Sequence, residues 1–178
     1  MKVSFSILSL LILLTPFADA KPARPPQSDF SLDVTIVTGE HSRDSNSVTA
    51  ILTVSSGALV YEQTFAGARS GRRQPVKKEF KLGKEDQAAL IGLLNKGNLM
   101  VFRTISEPPQ QKGSSRYFEL SIHSRLGGKE STVSIDASPH AANLKTDSLY
   151  RASVRVIEEL YKIINRTDPD ITMPQLIN

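Results

Sequence analysis

Residues 48–65 read VTAILTVSSGALVYEQTF, and the way this stretch doubles back decides the fold. Val48, Ala50, Leu52 and Val54 form one period-two run, and Leu59, Tyr61, Gln63 and Phe65 form another. A period of two is the signature of a strand with one face buried. Ser56-Gly57 between the runs fits a two-residue hairpin loop. That loop sets Val54 against Leu59, Leu52 against Tyr61 and Val48 against Phe65. Directly opposed residues share a face, so the apolar sets meet without adjustment.

The same pattern extends outward from this hairpin. Upstream, Phe30, Leu32, Val34 and Ile36 alternate with Ser31, Asp33 and Thr35. Downstream, Val76, Lys78, Phe80 and Leu82 make a fourth strand. Lys84-Glu85-Asp86 then opens a helix with acid in its first turn, where the helix dipole favours it. Leu90, Ile91, Leu93 and Leu94 give that helix an apolar face, and Gly97 is its expected C′ terminator. Leu99 to Thr104 reads as a short fifth strand, and 107–115, with Pro108-Pro109 and Gly113, as an exposed loop. Phe118, Leu120 and Ile122 lead to Gly127-Gly128, a second two-residue hairpin of type I′. Its register opposes Ile122 with Val133 and Leu120 with Ile135. A last helix runs from about Asp147 to Ile164, with Leu149, Val156, Ile157, Leu160 and Ile164 on one face.

The order β-β-β-β-α-β-β-β-α, with two tight hairpins, implies a mainly antiparallel sheet of six to seven strands. Two amphipathic helices cover one face of it. The expected architecture is a two-layer α+β domain, which buries both sets of apolar faces in a single core.

The chain has 178 residues, 39% of them hydrophobic and 22% charged, which are ordinary globular values. It contains no Cys, which excludes disulfides, thiolate zinc sites and thiol nucleophiles. Residues 1–20 read as a secretory signal peptide. Lys2 supplies the n-region, a short apolar stretch to Leu14 follows, and Ala18-Asp19-Ala20 is the cleavage site. The mature chain is expected to be exported and soluble, in the periplasm or outside the cell. Residues 21–29, with Pro22, Pro25 and Pro26, read as a spacer. Residues 30–164 form the expected single domain and 165–178 a C-terminal tail. Ile171, Met173, Leu176 and Ile177 in that tail leave its docking on the core open.

Motifs for chemistry are sparse. Gly67-Ala68-Arg69-Ser70-Gly71 places its serine one position late for a nucleophile elbow. No zinc-peptidase, P-loop or EF-hand pattern occurs. The three histidines, His41, His123 and His140, are expected to be solvated. His123 and Asp136 share an outward face, but the hairpin register separates them by roughly 13 Å, too far for one ion. Neither a metal nor another cofactor is expected. Tyr61, Tyr117, Tyr150 and Tyr161 sit at core spacing, and Asn165-Arg166-Thr167 is a glycosylation sequon.

Charge is the strongest local signal. Arg69, Arg72, Arg73, Lys77, Lys78, Lys81 and Lys84 face only Glu79 within 69–84, so this stretch outweighs the +4 of the whole chain. Alternation sends Lys77 and Lys81 to one face and Lys78 to the other. Lys78 interrupts the inner face, which marks an edge or strand-start position. As a functional reading, the stretch is a docking patch for an anionic macromolecule, such as an acidic protein or a polysaccharide. Nucleic acid is disfavoured, because no aromatic residue interleaves the basic run. The reading is therefore a small, monomeric, non-enzymatic binding domain, with a hydrolase of non-standard site as a further class.

A resemblance accompanies this reading. Phe80-Lys81-Leu82 leads into Glu85-Asp86, Leu90 and Leu93-Leu94. Tyr117 to Ile122, the Gly127-Gly128 turn, Val133 with Asp136, and a closing helix with Val156-Ile157 and Leu160 follow. From about Leu59 to Ile164 this is similar to the compact module of emfourin-type bacterial proteins, some of which inhibit metallopeptidases. The resemblance implies a secreted protease inhibitor as the alternative function. No inhibitory residue carries over, and the strands before Leu59 are an addition to that module.

Overall fold

Strands form where β-branched and aromatic side chains alternate with polar ones, because a pleated chain places successive side chains on opposite faces. The computed structural model describes residues 29–40, 46–67, 73–106, 116–137, 144–174 and 176. Within them lie β1 (Phe30–Glu40), β2 (Ser47–Ser55), β3 (Ala58–Ala66), β4 (Val76–Lys81), α1 (Lys84–Lys96), β5 (Phe102–Ser106), β6 (Arg116–Leu126), β7 (Lys129–Ala137) and α2 (Ser148–Asn165). A short 3-10 turn, Leu144–Thr146, precedes α2. The expected signal peptide, most of the spacer and the 107–115 loop lie outside the described residues.

The seven strands form one sheet in the order β4-β3-β2-β1-β6-β7-β5. All neighbours are antiparallel except β5 and β7. The β2–β3 register pairs Val54 with Leu59, Leu52 with Tyr61 and Val48 with Phe65, as the sequence reading expects. The β6–β7 register likewise pairs Ile122 with Val133 and Leu120 with Ile135. Both hairpin turns have positive φ at both central residues: Ser56 at 48° and Gly57 at 83°, Gly127 at 57° and Gly128 at 76°. Those are type I′ turns, whose twist matches that of the flanking strands.

One face of the sheet carries the buried residues, Leu32, Val34 and Ile36 of β1 together with Leu52, Tyr61, Leu120, Ile122 and Ile135 among others. The two helices lie on that face. Tyr161 of α2 meets Tyr61 of β3 edge-on at 6.1 Å between ring centroids, and Tyr150 meets Phe118 of β6 at 6.4 Å. The opposite face is polar and half-exposed, as befits an antiparallel sheet with one wet side. The architecture is thus α+β in two layers.

The end of α1 departs from the sequence reading. Gly97 is right-handed, at φ −82°, and the left-handed residue is Asn98 at φ 56°. Asn98 N–H donates to the Asn95 carbonyl and Leu99 N–H to the Leu94 carbonyl, which is a Schellman motif with Asn98 at C′. Gly97 is required by space instead. A Cβ there would lie 2.6 Å from Ala152 Cβ of α2 and 2.9 Å from the Leu93 carbonyl oxygen. The motif also moves β5. Leu99 is drawn back onto the helix end and buried, so the strand starts at Phe102 and not at Leu99.

The C-terminal segment docks. Ile171 and Leu176 are buried in the same core as the helices. Arg166 Nη1 bonds Asp86 Oδ1 at 2.8 Å, tying the end of α2 to the start of α1.

Candidate functional site: the basic edge strand

β4 is an edge strand because nothing in the described residues pairs with its second side. Its sequence, VKKEFK, shows why: three lysines and one glutamate leave only Val76 and Phe80 to contribute apolar area. Lysine on an exposed edge discourages pairing with another chain. Alternation then divides the charges between the two faces. Lys77, Glu79 and Lys81 lie on the wet face, and Lys78 lies on the helix side, opposite Tyr61.

Each basic residue has a distinct setting. Lys77 Nζ is 2.5 Å from Glu62 Oε1, its register partner on β3. Lys78 pairs with Asp168, which follows α2. At the outermost strand a lysine on the inner face can reach past the core to a partner at its rim. Lys81 and Lys84 are exposed and have no ion-pair partner among the described residues. The Arg73 guanidinium sits 5.3 Å from the centre of the Phe65 ring, a cation–π contact. Arg69 and Arg72 lie outside the described residues.

Two of the lysines are therefore neutralised locally, by Glu62 and Asp168. Arg73, Lys81 and Lys84 remain as uncompensated positive charge on the described part of this edge. The partner Glu62 lies 15 residues from its lysine and follows from the β3–β4 register. Asp168 lies 90 residues away, and no local pattern announces it.

The remaining titratable groups are arranged otherwise. His123 Nδ1 is 3.1 Å from Thr132 Oγ1 across the β6–β7 hairpin. Asp136 opposes Glu119, four residues from His123, as the register implies. No group of three potential metal ligands occurs among the described residues. His41 and His140 lie outside them. Tyr61 and Tyr161 are buried side by side, and burial pushes both phenols above their ordinary value of 10.0. An open groove on α2 is lined by Glu158, Tyr161, Lys162, Asn165, Arg166 and Met173. Asn165 of the sequon is exposed there, at the end of α2.

No family model matches the chain, and no curated protein is detectably similar to it. Among the described residues no helix is long and apolar enough to cross a membrane.

Proposed function

We propose that the protein is a small exported, non-enzymatic binding domain that engages a linear polyanion, an acidic polysaccharide, along the β4 edge. The supporting observation is the uncompensated charge of Arg73, Lys81 and Lys84 on an edge whose other lysines are already paired. Arg73 precedes β4, Lys81 ends it and Lys84 opens α1, so the free cations are spread along the strand and its exit. Cations spread in this way suit a polymer with repeating anionic groups better than a single compact anion.

The test is retention on a heparin column against a salt gradient. The variant R73S/K81S/K84S should elute at markedly lower salt than the parent, because only free charges are removed and the Glu62 and Asp168 pairs stay intact. Unchanged retention would discard the edge as the binding surface.

A further inference from the structure

The buried face of β6 and β7 is apolar except at one place. Ser124 and Ser131 oppose one another in the hairpin register, and both are fully buried. Their hydroxyl oxygens are 2.6 Å apart. Above them, in the bend between α1 and β5, lies half-buried Met100. Its sulfur is 3.4 Å from Ser124 Oγ and 3.7 Å from Ser131 Oγ.

A count of protons shows what is unusual. The two hydroxyls carry two protons, and one closes the bond between the serines. Among the described residues the other has only the Met100 sulfur to go to, and a thioether is a weak acceptor. A pair of small apolar residues would fill this row at lower cost, since a buried hydroxyl needs a full hydrogen-bond partner to repay its desolvation. The pair gains its full value when a strong acceptor stands at the sulfur.

We propose that Met100 is a site of reversible sulfoxidation, and that the Ser124–Ser131 pair receives the sulfoxide oxygen. The oxidant is a hydroperoxide. Its O–O bond breaks, one oxygen bonds to the sulfur, and the other leaves as water or an alcohol. Sulfur loses two electrons and the peroxide gains them. A thiol-dependent sulfoxide reductase reverses the step, forming a disulfide in the reductant and releasing water. Met100 is half-buried as a residue, and its place in a bend lets the side chain swing the sulfur outward to meet the oxidant and make room for the new oxygen. Oxidation at a buried methionine ordinarily disrupts packing, because it turns an apolar side chain polar. Here the hydroxyl donor is already aimed at the position, so the oxidised protein keeps its fold. The bend leads directly into β5, so the oxidation state of Met100 acts on how that edge strand is held.

The test uses the full chain treated with hydrogen peroxide, mapped by mass spectrometry, with Met173 as the internal reference. Met100 sulfoxide should form, and the unfolding midpoint should move by less than about 2 °C, the equivalent of at most about 1 kcal/mol for a domain of this size. The Cβ resonances of Ser124 and Ser131 should shift on oxidation and return on treatment with reductase. In S124A/S131A the same oxidation should lower the midpoint several-fold further, and M100L should show no shift in those resonances. Met100 left intact under conditions that convert Met173 would overturn the proposal. Serine resonances unmoved in the oxidised parent would do so too, and that measurement stands whether or not the double variant folds.

Discussion

Tyr161 is 2% exposed, and its hydroxyl has no aligned hydrogen-bond partner. The ring contributes packing and the T-shaped contact with Tyr61, while the oxygen, close to the Tyr61 hydroxyl but not aligned with it, is a buried polar atom without a well-formed bond among the described residues. Removing it should therefore cost nothing. Y161F is expected to be neutral or to stabilise by up to about 1 kcal/mol in urea unfolding, and a loss of that size would show that the hydroxyl is bonded after all. The two phenols also set an alkaline limit. Burial raises Tyr161 far above 10.0, with the Tyr61 hydroxyl pushing it the same way, and burial raises Tyr61 as well. Above pH 10 the unfolded chain releases these protons while the folded chain keeps them. The stability they confer is thus full below pH 10 and falls as pH rises, by up to about 1.4 kcal/mol per pH unit for each tyrosine. Urea midpoints measured across pH 9 to 11.5 should fall steeply in the parent and less steeply in Y161F.

At the level of elements, α2 depends on its first turn. Asp147 Oδ1 accepts the N–H groups of Leu149 at 2.8 Å and Tyr150 at 2.9 Å, satisfying two otherwise unpaired donors. D147A should lose about 1 kcal/mol in chemical denaturation, and D147S much less. The β2–β3 turn offers the opposite case. Ser56 holds a left-handed φ that Asn tolerates better, so S56N should raise stability by a few tenths of a kcal/mol, read as a higher urea midpoint. Both hairpins are legible in the sequence because the turn residues and the apolar alternation fix one register independently. The start of β5 is not legible. The run Leu99-Met100-Val101 looks like strand, yet Leu99 serves the helix end through its bond to Leu94. Nor does any pattern show that β5 pairs in parallel with β7, whose partner residues lie 30 positions further on. At the basic edge, the alternation of Lys77, Lys78 and Lys81 is readable residue by residue. The neutralisation of Lys78 is not, because Asp168 reaches it only once the segment after α2 has packed.

Across the whole molecule the two sheet edges differ in kind. β4 is guarded by lysine, whereas β5 carries Phe102 at 75% exposure beside exposed Val101. Arg103 is the one charge on β5, and an edge with a large exposed apolar side chain is a contact point for other chains. F102K should leave the thermal midpoint within about 1 °C, since the ring is hardly packed. Light scattering on heating should appear later in the variant, and unchanged scattering would locate aggregation elsewhere. The centre of the sheet has its own consequence. β1 is the middle strand, bonded to β2 on one side and to β6 on the other. Its first neighbour follows within a few residues, but its second spans Arg116–Leu126. During synthesis, which proceeds at about 5–20 residues per second, the meander β1 to β4 can zip up long before β6 exists. For several seconds β1, whose inner face is destined for the core, therefore waits with one side unpaired. Within the β1–β4 meander the first strand made is thus the last to be completed, and a holding chaperone would have its natural grip there.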